Sequence, residues 1–247
     1  MSAPDRVAVV AGVTGGLGRA VASVLKRDGF FVIGTSRTAG DPETCGAVQA
    51  DRCFSCDLTS YSQVSELVRK IEHDHRVVDA LVNCAGIVRS TPIDALAPAD
   101  IDAVLDTNLK ATILLCGGLV RLMRPARHAS IVNISSTLAR RPVKGTSVYA
   151  AAKGGIEAFS RSLALDCAEW GIRVNVIQPA LVRTAIWEKA GMTTAEFAEF
   201  AQARAASYPL GRIGEPSDVA EAAAFLISEQ GSWITGVSLP VDGGAAL

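Results

Sequence analysis

The stretch R-V-A-V-V-A-G-V-T-G-G-L-G, residues 6–18, joins an apolar run to a glycine-rich turn. Residues 6–11 predict a buried strand, and a helix is predicted from about residue 19 to residue 28. Glycines between a strand and a helix permit a tight turn and let backbone N–H groups approach a pyrophosphate. The same turn also occurs in ordinary strand–helix connections, so its place in the first β-α unit is what favours a dinucleotide site. The three glycines of the G-x-x-x-G-x-G pattern are Gly12, Gly16 and Gly18.

Apolar strand-like runs alternate with amphipathic stretches along the rest of the chain, which is the pattern of parallel β-α units. Further strands are predicted at residues 30–35, 53–56, 80–83, 130–135, 172–178 and 237–241. Helices are predicted at 61–73, 101–123 and 147–169, with shorter helical pieces at about 184–206 and 216–228. We therefore expect one α/β domain over residues 1–247, a doubly wound parallel sheet of about seven strands with helices on both faces.

Composition and charge exclude several classes of function. The net charge is −1 and no basic cluster exceeds Arg140-Arg141, which argues against nucleic acid or an anionic membrane as the main partner. The longest apolar run, residues 111–120, is too short to span a bilayer and is closed by Arg121. The first residues lack the basic segment of a signal peptide. A soluble cytoplasmic protein is expected.

The six cysteines include one C-x-x-C pair, Cys53 and Cys56. This spacing occurs in redox pairs and in halves of zinc sites. A structural zinc site needs four ligands, and no second pair completes this one. A redox pair usually opens a helix, whereas these cysteines lie in a predicted strand. We expect thiols packed in the fold and no metal site, including at the surface pair His73 and His75.

A second informative stretch, residues 136–153, places Tyr149 and Lys153 four apart in an alanine-rich segment. Such a segment favours helix, so the two side chains are expected on one face. Free tyrosine titrates near pH ~10, and a nearby positive charge lowers its pKa toward the range useful for acid–base catalysis. Ser136 follows a predicted strand and could hold a carbonyl oxygen while Tyr149 protonates it. Alone, Y-x-x-x-K occurs by chance in many helices.

The end of the second predicted strand indicates which dinucleotide would bind. An acid at this position would accept hydrogen bonds from the adenosine ribose and select NAD. This chain has Ser36 and Arg37 there, and an arginine can pair with a 2′-phosphate through charge-assisted hydrogen bonds. The sequence therefore favours NADP. NAD stays open, because Arg37 could be a solvated side chain and Thr14-Gly15 offers no second base.

Taken in order, the glycine turn, Asn83-Cys84-Ala85-Gly86, Asn108, Ser136 and Tyr149-x-x-x-Lys153 make the chain resemble the short-chain dehydrogenase/reductase family. The resemblance covers essentially the full length. Within the family it is similar to the bacterial reductases related to 3-oxoacyl-carrier-protein reductase. It implies a Rossmann-type fold and hydride transfer between a nicotinamide dinucleotide and a carbonyl or alcohol carbon.

The resemblance also implies a role for each catalytic residue. Tyr149 would exchange a proton with the substrate oxygen, and Lys153 would lower the pKa of Tyr149 and hold the nicotinamide ribose. Ser136, thirteen residues before the tyrosine, would orient the substrate. Asn108 would break its helix locally and hold a water that links Lys153 to solvent; the alternative is a helix-end cap.

For the cofactor, the resemblance implies contacts along the whole cleft. Asp57 would meet the adenine edge, although it could equally cap a helix, and Thr184 would contact the nicotinamide carboxamide. Ala180 stands where the family usually has glycine, which adds a methyl group beside the nicotinamide. The expected contacts are Gly12, Thr14, Gly15, Gly16, Leu17, Gly18, Ser36, Arg37, Asp57, Leu58, Asn83, Ala85, Gly86, Tyr149, Lys153, Pro179, Ala180, Val182 and Thr184.

The segment 181–213 has helical pieces and few anchors, so we expect a lid over the substrate. Met192, Phe197 and Phe200 could line an apolar pocket or form core, and Arg140-Arg141 could meet an anionic substrate, solvent or a subunit. A ketone or secondary alcohol, medium-sized and apolar, is the expected substrate. Its expected contacts are Ser136, Leu138, Val143, Tyr149 and Trp187.

The family resemblance implies a homotetramer built through the helices at 101–123 and 147–169. A carrier-bound substrate is the alternative within the same chemistry, and Arg127 suits an acidic carrier protein whereas Trp170 replaces a second basic residue. A dinucleotide-binding protein without turnover is the alternative from another class. Such proteins usually lose the tyrosine or the lysine, and this chain has both Tyr149 and Lys153.

Overall fold

Seven parallel strands form a single sheet in the computed structural model, which describes residues 6–39 and 42–247. The strands are β1 (Val7–Ala11), β2 (Phe31–Ser36), β3 (Arg52–Ser55), β4 (Ala80–Asn83), β5 (Ser130–Ile134), β6 (Arg173–Pro179) and β7 (Ser238–Val241). Each of them coincides with a predicted strand to within about a residue or two at either end. The α/β fold and the number of strands are confirmed.

The sheet order is β3-β2-β1-β4-β5-β6-β7. Strands β2 and β3 are added on one side of β1, and strands β4 to β7 on its other side, so the strand order reverses between β1 and β4. Strand β1 pairs with β2 on one side and with β4 on the other. In open parallel sheets, ligands bind at this switch point, beyond the carboxyl ends of the strands. The glycine turn after β1 lies at this edge.

Helices cover both faces of the sheet, as expected for a doubly wound fold. One face carries α3 (Tyr61–Asp74), α5 (Ala111–Met123) and α6 (Ser147–Asp166), and the other carries α1 (Gly16–Arg27) and α9 (Pro216–Ile227). Each face has its own apolar core, because the strands are buried on both sides. The remaining helices are α2 (Pro42–Ala47), α4 (Pro98–Leu105), α7 (Ile186–Lys189) and α8 (Thr194–Ser207).

The predicted helix 101–123 is one continuous helical segment with an irregularity near its middle. It begins at Pro98, and a π-helical turn at Asp106–Lys110 joins α4 to α5. By length and composition, Pro98–Met123 is the segment of the described chain that could cross a membrane. Leu115, Leu119 and Met123 are fully buried against the sheet, which accounts for its apolar character as a core helix.

The structure makes no use of the C-x-x-C spacing. Cys53 lies in β3, Cys56 follows it, and no disulfide links the six cysteines, all of which lie in the described ranges. Burial raises the pKa of the Cys56 thiol to about 11. A thiol with a raised pKa is a poor nucleophile at neutral pH, so the pair is suited to packing.

Candidate active site

The glycine turn between β1 and α1 brings the backbone close to the loop after β4. Gly12 has φ +74°, and a Cβ at this position would lie 2.8 Å from the Ala85 backbone, so only glycine fits. No side chain caps the N-terminus of α1. Backbone N–H groups at a helix start that lack a side-chain partner favour an anionic ligand, because the helix dipole also points there.

Two adjoining cavities form one cleft along the carboxyl edge of the sheet. The first, lined by Ser136, Tyr149 and Lys153, is here called the catalytic half. The second, lined by Ser36, Arg37 and Asp57, is called the adenosine half. The residues that line both are Thr14, Gly15, Cys84, Gly86, Ile87 and Lys189. A long cleft that bends around a glycine turn at the switch point fits a dinucleotide.

Tyr149 and Ser136 meet in the catalytic half. Tyr149 lies on the first turn of α6, Ser136 follows β5, and both are buried. Burial raises the pKa of Tyr149 to about 12, and a hydrogen bond with Ser136 opposes this rise. The sequence predicts the opposite direction, a pKa lowered by Lys153. In the protein alone, loss of solvent outweighs the hydrogen bond with Ser136, and Lys153 Nζ lies 5.7 Å from the ring centroid of Tyr149.

Lys153 lies one turn beyond Tyr149 on α6 and is also buried. Its Nζ donates a hydrogen bond of 2.9 Å to the carbonyl oxygen of Ile134. Burial lowers the pKa of Lys153 to about 8, because it removes water from around the ammonium, and the neighbouring Cys84 opposes this shift. The lysine therefore titrates close to physiological pH.

The π-helical turn places Asn108 beside this lysine. Its Nδ2 donates to the carbonyl oxygens of Ile87 and Val104, at 3.0 and 3.1 Å, and its Oδ1 accepts from the Ile87 N–H at 3.1 Å. A Cβ on Gly86 would lie 2.7 Å from Asn108 Oδ1 and 3.6 Å from Lys153 Nζ. Gly86 thus leaves the space between the two polar groups open. Asn108 lies inside a continuous helical segment, so a helix-end cap does not describe it.

Glu157 is a buried carboxylate that was not predicted from the sequence. It lies next to the catalytic half and hydrogen-bonds residues behind its wall. Its Oε1 accepts hydrogen bonds from Ser135 Oγ at 2.9 Å and from Gln178 Nε2 at 2.5 Å. Its Oε2 lies 3.7 Å from Arg140 Nε. The signal was present in the sequence, because Glu157 is four residues beyond Lys153 and falls on the same face of the helix. Glu157 therefore links α6 to the residue before Ser136, to the loop at Arg140 and to the end of β6 at Gln178.

The adenosine half is more open. Arg37 is exposed after β2, and its charge helps to lower the pKa of Asp57, whose main partners are the N–H and hydroxyl of Thr59. Asp57 does not cap α3, because Ser60 does so by accepting from the Gln63 N–H. Leu58 and Ala85 also line this half.

Most of the other expected cofactor contacts line the cleft, and one of them lies in the protein core. Pro179, Ala180, Val182 and Thr184 line the catalytic half with Gly16, Leu17 and Gly18. Asn83 lines neither half. Its Nδ2 donates to Asn133 Oδ1 at 2.8 Å inside the core, so the structure does not bring this side chain to the cleft, and a cofactor contact at Asn83 stays a prediction. A strand-end amide has the same appearance in sequence whether it faces the ligand or the next strand.

The expected substrate contacts are only partly brought together. Trp187 lines the catalytic half, and its indole N–H donates to the Val182 carbonyl at 3.1 Å. Leu138 packs in the small cluster around Tyr149. Val143 is 44% exposed and does not line the cleft, so the structure does not bring it to the other expected contacts, and a substrate contact there stays a prediction. Its loop turns outward, with the Val143 carbonyl accepting from Thr146 Oγ1 at 2.7 Å.

The lid segment has an apolar cluster of its own. Trp187 stacks on Phe197 and contacts Phe200, with ring centroids 6.4 and 5.9 Å apart. Phe197 and Phe200 therefore pack within the lid and do not line the cleft. Of the two arginines after Ser136, Arg140 faces Glu157 and Arg141 donates to the carbonyl oxygen of Leu247, so both have protein partners.

Cys84 lies in the wall shared by the two halves. Burial raises the pKa of its thiol to about 12, although the charge of Lys153 opposes the rise. It is therefore a neutral group at neutral pH. The shared wall consists otherwise of glycines, Thr14 and Ile87, with Lys189 facing them from the lid.

Comparison with known proteins gives consistent matches. A family model described as enoyl-(acyl carrier protein) reductase matches residues 12–246. The chain is 34% identical to 3-oxoacyl-[acyl-carrier-protein] reductase FabG of Haemophilus influenzae, over 98% of each chain. It is 36% identical to 3-oxoacyl-[acyl-carrier-protein] reductase of Homo sapiens, over 98% of this chain and 99% of that one. Ligand-free aldohexose dehydrogenase of Thermoplasma acidophilum is similar in structure, with TM-score 0.90, 32% identity and coverage of 98% and 94%.

Proposed function

The chain belongs to the short-chain dehydrogenase/reductase family, and from this premise we propose that it uses NADPH to reduce an uncharged ketone to a secondary alcohol. It is an NAD(P)-dependent oxidoreductase of CH–OH and C=O groups. The observation that carries the proposal is the convergence of Ser136, Tyr149 and Lys153 in one half of a cleft shaped for a dinucleotide.

The side chains account for the proton chemistry. A nicotinamide dinucleotide, when bound, supplies or accepts the hydride. Tyr149, with its pKa raised to about 12, keeps its proton at neutral pH and can donate it to the substrate oxygen. Ser136 hydrogen-bonds that oxygen, and the nearby ammonium of Lys153 stabilises the phenolate that remains. This arrangement favours reduction, because a protonated acid is ready at neutral pH.

NADP is the proposed dinucleotide because of the adenosine half. Arg37 is exposed at the end of β2, and Ser36 beside it adds a hydroxyl. A guanidinium and a hydroxyl suit a 2′-phosphate, whereas the acid that would select NAD is replaced. Asp57 also lines this half, but it is engaged by Thr59.

An uncharged, apolar substrate is proposed from the walls of the catalytic half. Ile87, Val88, Ile186 and Trp187 line it. The two arginines that could greet an anion are held by Glu157 and Leu247. A charged substrate would lose hydration against these apolar walls with little in return, since the free cation of this half, Lys189, lies where it joins the adenosine half.

A 3-oxoacyl group on a carrier protein is the second candidate, and the names of the relatives favour it. Arg127 is exposed and suits an acidic carrier. Arg124, by contrast, lies 3.7 Å above the Trp170 ring and is partly committed to it. The two candidates differ in whether the carrier adds to the rate.

A homotetramer and a cytoplasmic location complete the proposal. Leu165 near the end of α6 is 80% exposed, and Ile113 on α5 is 39% exposed. Large apolar side chains on these outer helix faces suit burial against a second copy. Light scattering with size-exclusion chromatography checks the subunit number, and a monomer would contradict this part.

The decisive experiment measures NADPH oxidation with three substrates in parallel. These are a medium-sized uncharged ketone, a 3-oxoacyl thioester of N-acetylcysteamine, and the same acyl group on a carrier protein. We expect turnover of the ketone, with NADPH preferred over NADH. A carrier-linked substrate turned over far faster than its thioester mimic would favour the second candidate. No turnover of any of the three would contradict the proposed reaction.

A further inference from the structure

The middle of the cleft, where its two halves join, has one charged side chain. Six of the described residues line both halves, and five of them are uncharged: Thr14, Gly15, Cys84, Gly86 and Ile87. The sixth is Lys189 on the lid. Lys189 is exposed, so its charge acts on a ligand at short range and is screened by salt.

Lys189 has nothing in the protein to neutralise it. Across residues 6–39 and 42–247, its ammonium has neither a hydrogen-bond nor an ion-pair partner. The other lid cations differ, because Arg183 pairs with Glu215 at 3.0 Å and Arg204 lies 5.1 Å from the Phe200 ring centroid. Lys189 is therefore available to a ligand.

The short helix that carries Lys189 is held in place by contacts of its neighbour Trp187. It is the last residue of α7, two residues after Trp187. Trp187 is tied to Val182 by its indole hydrogen bond and packs on the rings of α8. Lys189 is thus attached to the apolar cluster of this segment and lines the cleft together with Thr14 and Gly15 of the glycine turn.

The ligand chemistry of this place follows from the dinucleotide. The two nucleotides are joined by a pyrophosphate, which carries two negative charges. The glycine turn facing Lys189 contributes backbone N–H groups but no basic side chain, because Thr14 and Gly15 occupy the positions where one could stand. Backbone dipoles bind phosphate without neutralising it in full.

We propose that Lys189 pairs with the pyrophosphate of the bound dinucleotide and so couples the position of the lid to cofactor occupancy. This inference rests on the proposed function, since it takes the dinucleotide as the ligand. It assigns the two free cations of the cleft to different phosphates, Arg37 to the 2′-phosphate and Lys189 to the pyrophosphate.

The test measures dissociation constants of NADPH, NADH and adenosine 2′-monophosphate by calorimetry, for the unmodified enzyme, K189Q and K144Q. Adenosine 2′-monophosphate has the 2′-phosphate but no phosphate on its 5′-oxygen, where the pyrophosphate begins. Lys144 is a matched control, because it is exposed but lines neither half. We expect K189Q to weaken NADPH and NADH alike by about three- to ten-fold and to leave binding of the monophosphate unchanged. The effect shrinks as salt is raised.

Each outcome decides a separate point. Equal NADPH affinity for K189Q and the unmodified enzyme overturns the role of Lys189 and leaves the proposed function intact. Weaker binding of adenosine 2′-monophosphate by K189Q also overturns it, because the effect would then not depend on a pyrophosphate. Failure of the unmodified enzyme to bind either dinucleotide removes the proposed function itself. K144Q serves as the reference for loss of a surface charge.

Discussion

The two halves of the cleft differ in how far their functional side chains are buried. In the catalytic half, Tyr149 and Lys153 are buried, and burial shifts the pKa values of both, to about 12 and about 8. In the adenosine half, Arg37 is exposed and contacts solvent. Chemistry is therefore placed where water is excluded, and recognition of a phosphate where a charge can remain hydrated. The first is expected to be sensitive to substitution, and the second to salt.

The largest effect is expected for Tyr149→Phe, which removes the proton donor but keeps the ring. We predict a loss of turnover of about 10³-fold or more, within the range for removal of a general acid. The dissociation constant of NADPH should change less than two-fold. Steady-state kinetics and calorimetry on the same preparation check both, and a variant that keeps a tenth of its turnover would contradict the assigned role.

Replacement of Lys153 by Met tests the cost of the buried ammonium. We predict a turnover loss of about 10²-fold. Because burial lowers the pKa of Lys153 from 10.5 to about 8, the unfolded chain binds a proton that the folded protein lacks between these values. The free energy of unfolding of the native protein therefore gains a rising contribution between pH 8 and 10.5.

In Lys153→Met this rise is absent, so the stability of the variant relative to the native protein falls by about 2 kcal/mol from pH 7 to 10. Urea unfolding at both pH values measures the difference. The same comparison in Lys144→Gln gives the baseline for loss of an exposed lysine. A constant difference across this range would contradict the lowered pKa.

Glu157 tests whether a residue that does not line the catalytic half affects turnover through the residues it holds in place. Glu157→Gln keeps an acceptor for Ser135 and Gln178, and we predict a turnover loss below about three-fold. Glu157→Leu leaves the Gln178 amide without this acceptor and Ser135 Oγ with only the Lys153 carbonyl at 3.0 Å, so a loss of about ten-fold in kcat is expected with little change in the NADPH dissociation constant. Equal kinetics for the two variants would contradict a positioning role, and thermal unfolding checks that both are folded.

The smallest effect belongs to the exposed half. Arg37→Gln should weaken NADPH by about five- to ten-fold and leave NADH nearly unchanged, because only NADPH has the 2′-phosphate. Raising the salt concentration should reduce this difference, as Arg37 is solvent-exposed. Calorimetric titration at low and high salt measures it. A salt-independent difference would mean that Arg37 acts through packing.

The elements that place these residues were predictable from sequence because their signals are local. Alternating apolar runs predicted the strands, and the four-residue spacing predicted that Tyr149 and Lys153 share a helix face. The direction of the pKa of Tyr149 was not predictable, since it depends on how much water surrounds the phenol. That quantity is set by Leu138, Val104 and other residues distant in sequence.

Two expected contacts lie away from the cleft lining in this structure for a common physical reason. Asn83 and Val143 were assigned to the cleft by their places along the chain, but a side chain at a strand end or in a loop can point either way. Asn83 pairs with Asn133 in the core, and Val143 turns to solvent. Glu157 and Lys189 were not predicted because the residues they lie next to are distant in sequence and approach them only in the folded protein.

The half-buried thiol of Cys84, in the wall shared by the two halves, has a practical consequence for handling the enzyme. With its pKa raised to about 12, almost no thiolate exists at neutral pH, and the thiolate is the form that alkylating agents and peroxide attack. Maleimide dyes should therefore spare the cofactor cleft, and air oxidation during storage should not block it. Covalent inhibitors aimed at this cysteine are a poor choice for the same reason.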